Sequence, residues 1–333
     1  MITLDGSEGE GGGQILRTAL AASLITQTPF HIHAIRAGRP KPGLLRQHLA
    51  AVRAAVLVGE ADVEGDALGS TSLRFVPKRV RQRDLTLDLG GAGSTGLVLQ
   101  TVCWPLWLAD GPSTLTLSGG THNPWAPPYP FLASSFGPAV ERTGVGLALS
   151  LDAVGFYPAG GGKMTAVLTP TALVAPLDLC SHDGTGPVCA RVIGAAMPSR
   201  VLDREAEQLR RRLPENSEIT IRHVESSGPG NALWIEAGSA FTSVFSAYGR
   251  RGTRAEAVAD EAVDAWRTWR AAGAVVCEQL ADQLLLPLVL AGGGAFRTSA
   301  PTRHSTTQVD VLARFFDVRP KFTADGRSTV VTL

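Results

Sequence analysis

The residues best suited to chemistry in this chain lie far apart in sequence. Near the C-terminus, Ala300-Pro301-Thr302-Arg303-His304-Ser305-Thr306-Thr307-Gln308 reads as a loop running into a helix. Ser305 and Gln308 have the S-x-x-Q spacing of a capping box. Val309, Leu312, Ala313 and Phe316 then follow at helical spacing. His304 is therefore expected just outside a helix N-terminus, where orphan N–H groups and the macrodipole favour an anion. Near pH 7 a neutral imidazole there is a good nucleophile, although a lone histidine is more commonly structural. At the other end, Asp5-Gly6-Ser7-Glu8-Gly9-Glu10-Gly11-Gly12-Gly13-Gln14 is a glycine-rich loop able to approach a ligand closely. It matches neither the phosphate loop nor a full dinucleotide fingerprint. No acidic residue lies between Glu10 and Glu60, whereas Arg17, Arg36, Arg39, Lys41, Arg46 and Arg53 do. That local positive field suits phosphates, and a solvated basic face is its bland alternative. Gln100, inside an apolar helix, needs a partner if buried, either a ligand or a core hydrogen bond.

The elements that must position these groups follow from periodicity. A strand at 2–4 leads through the glycine loop to a helix over 14–25, with Leu16, Leu20 and Leu24 on one face. A strand at 30–35 leads to a helix with Leu45, Leu49, Val52 and Val56 inward and Arg46 and Arg53 outside. Strands are expected at 72–75, 85–89, 114–117 and 164–168, with Gly90–Gly96 opening the helix that carries Gln100. The order strand, glycine loop, helix, strand, loop, helix, strands occurs at 1–84 and again at about 85–177. A third, partial copy has a helix over 271–285, a strand at 286–290 and the His304 loop and helix. Residues 178–270 interrupt it and hold 25 of the 61 charged residues. They read as a small inserted α/β domain with strands at 190–196, 218–223 and 232–236 and helices at 200–212 and 254–269. The expected domains are thus 1–177 with 271–333, and 178–270. Arg210-Arg211-Arg212 reads as an exposed helix end rather than an RNA contact.

With 333 residues, 44% apolar and 18% charged, the composition is that of a globular protein with a sizeable core. A net charge of +1 argues against a bulk nucleic-acid coat and for a local patch. Four scattered cysteines without a CxxC pair read as reduced thiols, with Cys103 in the core, and no Cys/His spacing suggests zinc. The start of the chain lacks a signal-peptide pattern, and no apolar run is long enough to span a bilayer, so a cytoplasmic location is expected.

Assembled, these blocks resemble the RNA 3′-terminal phosphate cyclase family over nearly the whole chain. The likeness rests on Gly9–Arg17, on Arg36-Ala37-Gly38-Arg39 with Lys41–Arg46, and on Leu97–Gln100. It also rests on Gly119-Gly120-Thr121 with Asn123-Pro124, on Gly155–Gly162 and on Leu280-Ala281-Asp282-Gln283. The resemblance implies an α+β fold of three repeats of a four-stranded sheet with two helices, similar to the C-terminal domain of translation initiation factor 3, plus an insert. It implies ATP-dependent conversion of an RNA 3′-phosphate to a 2′,3′-cyclic phosphate, with His304 as the nucleophile that takes up AMP. Gln100, Gln279, Leu280, Ala281, Asp282, Gln283, Glu10 and Arg17 match ATP-contacting positions. Arg39, Lys41 and Arg46 fall on the substrate-phosphate side, and Glu10 would place a divalent cation, Mg²⁺ or Mn²⁺. Asp282 is expected to orient His304, to hold a sugar hydroxyl or to cap a local turn. The implied partners are ATP, RNA with a 3′-phosphate end and, as an open expectation, a second copy of the chain. The chain departs from the family pattern at Arg303, at Gln308 in place of Asn, and at Gln279, often aromatic in relatives. The competing reading is a catalytically inactive cyclase-like ribosome-assembly protein; an enolpyruvyl transferase is a more distant alternative on a similar fold.

Overall fold

The computed structural model describes residues 1–181, 186–238 and 241–333. Its first sheet is built from β1 (Ile2–Asp5), α1 (Gly13–Thr26), β2 (Phe30–His33), α2 (Arg46–Gly59), β3 (Asp62–Glu64) and β4 (Leu73–Val76). The strand order is β1-β2-β4-β3, with β1 parallel to β2 and the other pairs antiparallel. The second contains β5 (Leu85–Asp88), α3 (Thr95–Trp107) and β6 (Ser113–Gly119). A helical run follows, made of α4 (Tyr129–Phe131), a π-helical turn (Leu132–Phe136) and α5 (Gly137–Glu141), then β7 (Gly146–Ala153) and β8 (Gly162–Thr169). Its order, β5-β6-β8-β7, repeats the pattern of one parallel and two antiparallel pairs.

β9 (Leu177–Leu179) is followed by a further sheet of β10 (Val188–Ala195), β11 (Glu218–His223), β12 (Gly230–Ala237) and β13 (Ser243–Tyr248). That sheet runs β11-β10-β12-β13 and carries α6 (Ser199–Arg212) and α7 (Ala255–Ala272). The chain ends with α8 (Glu278–Ala291), β14 (Gly294–Thr298), α9 (Arg303–Phe315), β15 (Lys321–Asp325) and β16 (Ser328–Thr332). These last strands pair with β9 in the order β15-β16-β14-β9. The molecule is thus mixed α/β, built on four-stranded sheets.

The elements form where side-chain spacing demands. Met164, Ala166 and Leu168 alternate inward along β8, while Leu16, Leu20 and Leu24 bury one face of α1. α6 buries Leu202, Ala206 and Leu209 and binds α7 through Arg204–Glu256 at 2.6 Å and Arg212–Asp260 at 2.6 Å. Arg212 is therefore a structural cation, while Arg210 and Arg211 lie on the exposed helix end beside Glu207. Two expectations are corrected. The helix expected over 271–285 starts at Glu278, and the strand expected at 286–290 is the second half of α8. Leu284–Leu290 is uniformly apolar apart from Pro287, so its pattern carries no period, and its burial against α9 decides for helix. β3, β7, β9, β13 and β14 coincide with none of the strands expected by position. Among the described residues no helix is long and apolar enough to cross a membrane.

Candidate active site

α9 starts one turn earlier than the sequence suggests. Its N-cap is Thr302, whose hydroxyl accepts from the Ser305 backbone N–H at 3.0 Å, so His304 is in the first turn rather than outside it. Ser305 is buried and does not cap. Its hydroxyl and that of Thr302 both donate to Asp282 of α8, the latter at 3.0 Å. Asp282 accepts from both hydroxyls of the turn that carries His304 and makes no hydrogen bond to the ring among the described residues. Burial raises the Asp282 pKa, while the two hydroxyl hydrogen bonds and His304 pull it down.

The ring itself is held by Gln14 at the start of α1, whose Oε1 is hydrogen-bonded to His304 Nδ1. Gln14 Nε2 in turn donates to Gln308 Oε1 at 2.9 Å. With the two amides in this orientation, the Gln14 oxygen meets the imidazole and Nδ1 carries the proton. Nε2 is left with a free lone pair. Burial lowers the His304 pKa, and Arg17 and Arg39 lower it further against the opposing pull of Asp282, so the ring is neutral at pH 7. Its side chain is still 49% exposed.

The glycine loop docks directly on α9. Gly9 sits at φ +56, and a Cβ there would lie 2.2 Å from the Thr307 hydroxyl; that same hydroxyl accepts from Glu10 N–H at 2.8 Å. Glu10 pairs with Arg39, and its Oε2 lies 3.9 Å from His304 Nδ1. That oxygen is buried and has no hydrogen-bond partner among the described residues. Arg39 also donates to the Glu10 carbonyl at 3.0 Å, which ties the basic loop to the glycine loop.

His304, Arg17, Gln100, Gln279, Asp282 and Gln283 line one cavity of about 480 Å³. Desolvation brings Arg17 down to about 10, so it remains charged at neutral pH, and it has no salt bridge among the described residues. Gln100 Nε2 is buried and unpartnered. A cavity of this size with a few convergent polar groups and an unpaired cation has the general form of a small-molecule site with a preference for negative charge. Leu280 and Ala281 do not line it: both side chains are in the core, as the helical period of α8 requires of the residues between Gln279 and Asp282. Lys41 and Arg46 are exposed and also lie off the cavity. Among the described residues no group of three or more His, Cys, Asp or Glu could hold a metal by itself. The orphan Glu10 Oε2 fits a cation shared with a phosphate ligand, not a protein cage.

Sequence reasoning missed several neighbours. Gln14 lies inside the glycine-loop block and Gln308 was expected as a capping partner, but neither was expected to reach the His304 ring or its neighbour. His48, on the inner face of α2, is 3% exposed; its Nδ1 accepts from Leu45 N–H at 3.1 Å, and its Nε2 lies with Arg17 against Gly13. Burial, then Arg17 and Arg36, lowers it to about 3. β13, which was not expected, supplies Val244, Ser246 and Tyr248 to the cavity wall.

Fold and site define a small-molecule site with a preference for negative charge beside a neutral histidine. The RNA 3′-terminal phosphate cyclase family profile matches residues 8–322. An RNA 3′-terminal phosphate cyclase of Koribacter versatilis is 47% identical over 96% of this chain and 90% of its own. One of Salmonella typhimurium is 46% identical over 96% of this chain and 94% of its own. The enolpyruvyl transferase NikO from Streptomyces tendae aligns over 99% of this chain and 48% of its own at 12% identity, but a TM-score of 0.40 carries no argument. The chain belongs to the RNA 3′-terminal phosphate cyclase family.

Proposed function

We propose that the chain uses ATP to convert an RNA 3′-phosphate into a 2′,3′-cyclic phosphate through a covalent His304–AMP intermediate. The observation that carries this reading is a neutral, accessible His304 on the same cavity as the unpaired Arg17 cation. His304 Nε2 attacks the α-phosphorus of ATP, an N–P bond forms and pyrophosphate leaves. The positive charge that develops on the ring is met by Gln14 Oε1 at Nδ1–H and by Glu10 3.9 Å away. An oxygen of the RNA 3′-phosphate then displaces the imidazole, giving RNA(3′)pp(5′)A. The neighbouring 2′-hydroxyl attacks the 3′-phosphorus, closes the cyclic ester and releases AMP.

Arg17 and Arg39 neutralise phosphate charge as each step spreads it, with Lys41 and Arg46 as outlying cations on the RNA side. Gln100, Gln279 and Gln283 hold the nucleotide, Leu280 and Ala281 contribute only by shaping α8, and Asp282 keeps the His304 turn closed. Mg²⁺ or Mn²⁺ would bind Glu10 together with phosphate oxygens and supply Lewis-acid charge. Three sheets sharing the order first-second-fourth-third support a threefold repeat similar to the C-terminal domain of translation initiation factor 3, over 1–177 and 271–333. Residues 178–270 are then the insert, although β9 straddles that boundary. A cytoplasmic location and a second copy as partner remain part of the proposal.

The test is label transfer from ATP carrying radioactive α-phosphate, with Mg²⁺ or Mn²⁺, to the native chain and to His304→Ala. An acid-labile, base-stable protein–AMP bond on the native chain alone, discharged by RNA with a 3′-phosphate, is expected. A folded native chain that takes up no label sinks the reading and favours the inactive assembly protein. Labelling of His304→Ala moves the nucleophile elsewhere.

A further inference from the structure

The loop that enters α4 contributes to the His304 cavity a side chain that the reaction above leaves unused. Trp125 lines the cavity, yet it is 85% exposed. Its backbone sits at φ +60, a conformation that bulky L-residues rarely adopt. The loop around it is stiff. Pro124, Pro127 and Pro128 bracket it, Asn123 Nδ2 donates to the Ala92 carbonyl at 2.7 Å, and Tyr129 N–H donates to the Thr121 carbonyl at 2.9 Å. An exposed indole is thus carried on a backbone at positive φ, in a loop pinned on both sides.

The other rings on the cavity are less exposed than Trp125. Trp104, Phe131 and Phe136 are core residues, the Tyr248 hydroxyl is buried, and Gln279 brings an amide rather than a ring. Trp125 makes no ring pair and no hydrogen bond among the described residues. We propose that Trp125 is the stacking platform for a nucleobase bound at the His304 cavity. This rests on the nucleotide reading of that cavity. A large, flat, exposed ring face offers a surface for stacking, and stacking of this kind tolerates any base. The base can belong to ATP or to the last nucleotide of the RNA, and the two are separable by experiment.

The native chain would be compared with Trp125→Ala and Trp125→Phe in two arms. The first measures equilibrium binding of an ATP analogue with a methylene bridge between the α- and β-phosphates, together with the KM for ATP in the labelling reaction. The second measures the KM for oligonucleotides ending in a 3′-phosphate, with the last base present or absent, at saturating ATP. Trp125→Ala is expected to weaken one arm by roughly five- to hundredfold with little change in kcat, and Trp125→Phe to restore most of it. Loss in the first arm assigns the base to ATP. Loss in the second arm only when the last base is present assigns it to the RNA. Less than twofold change in both arms, or a Phe variant as weak as the Ala variant, overturns the platform. If the native chain takes up no AMP, the cyclase reading has failed, and analogue binding alone decides the platform.

Discussion

Two histidines rest against the start of α1, and only one is proposed to react. His304, in the first turn of α9, meets Gln14; His48, in the first turn of α2, lies against Gly13. Burial and nearby arginines keep both neutral at pH 7. They differ in access and in what their nitrogens do. His304 is half exposed on the cavity with Nε2 free, whereas His48 is 3% exposed with Nδ1 closing the first turn of α2. A depressed histidine pKa therefore marks neither a nucleophile nor a structural ring by itself. What separates the two is whether a lone pair faces a ligand-sized space.

The comparison breaks most sharply at the nucleophile. His304→Ala should reduce AMP uptake by roughly a thousandfold or more while leaving denaturant unfolding close to native. His48→Ala should do the reverse in emphasis: it strips the Leu45 N–H of its acceptor and costs about 1–3 kcal/mol, read as a lower unfolding midpoint. Acid separates the pair again. The His48 pKa falls from 6.5 unfolded to about 3 folded, so the unfolded chain gains a proton the folded chain refuses. Stability contributed by neutral His48 is complete above pH 6.5 and is lost at up to about 1.4 kcal/mol per pH unit on acidification toward 3. His48→Gln should flatten that slope in unfolding titrations.

Gln14→Ala should slow AMP uptake by roughly ten- to hundredfold, because Nδ1 loses the acceptor that selects the reactive tautomer. An unchanged rate in a single-turnover assay would remove the tautomer argument. The smallest effect is expected at Arg39. Its charge lowers the His304 pKa, so Arg39→Gln should move the acid limb of the labelling rate toward higher pH. A pH–rate profile that shifts the other way would contradict the electrostatic account.

Elements with a clean period were legible in advance. α1 and α6 fall within a residue of their expected spans, because one apolar face per helix suffices to define them. β11 matches its expected bounds, and the strand order of the first two sheets agrees with the duplicated pattern. The run of leucines in the second half of α8 has no period and suggests a strand by sequence alone, whereas its helical state comes from packing. The capping register of α9 slipped for a related reason. Thr302 and Ser305 are both competent caps, and the structure uses Thr302, which accepts from the Ser305 N–H while Asp282 of α8 takes the hydroxyl protons of both.

By itself the sequence determined the residue types: a histidine beside a helix start, a glycine loop, an acid-free basic stretch and amides on two helices. These are local patterns, and local patterns are what spacing and propensity encode. Only the tertiary structure decided which of them meet. Gln14 reaches His304 and Gln308 across nearly the whole chain, Thr307 seats the glycine loop, and β13 closes a wall of the cavity. It also left Leu280, Ala281, Lys41 and Arg46 off that cavity, and placed Glu10 and Arg39 beside His304 rather than in the cavity lining. The reason is that convergence depends on which faces pack together, and that is settled by burial of the whole core rather than by any single segment.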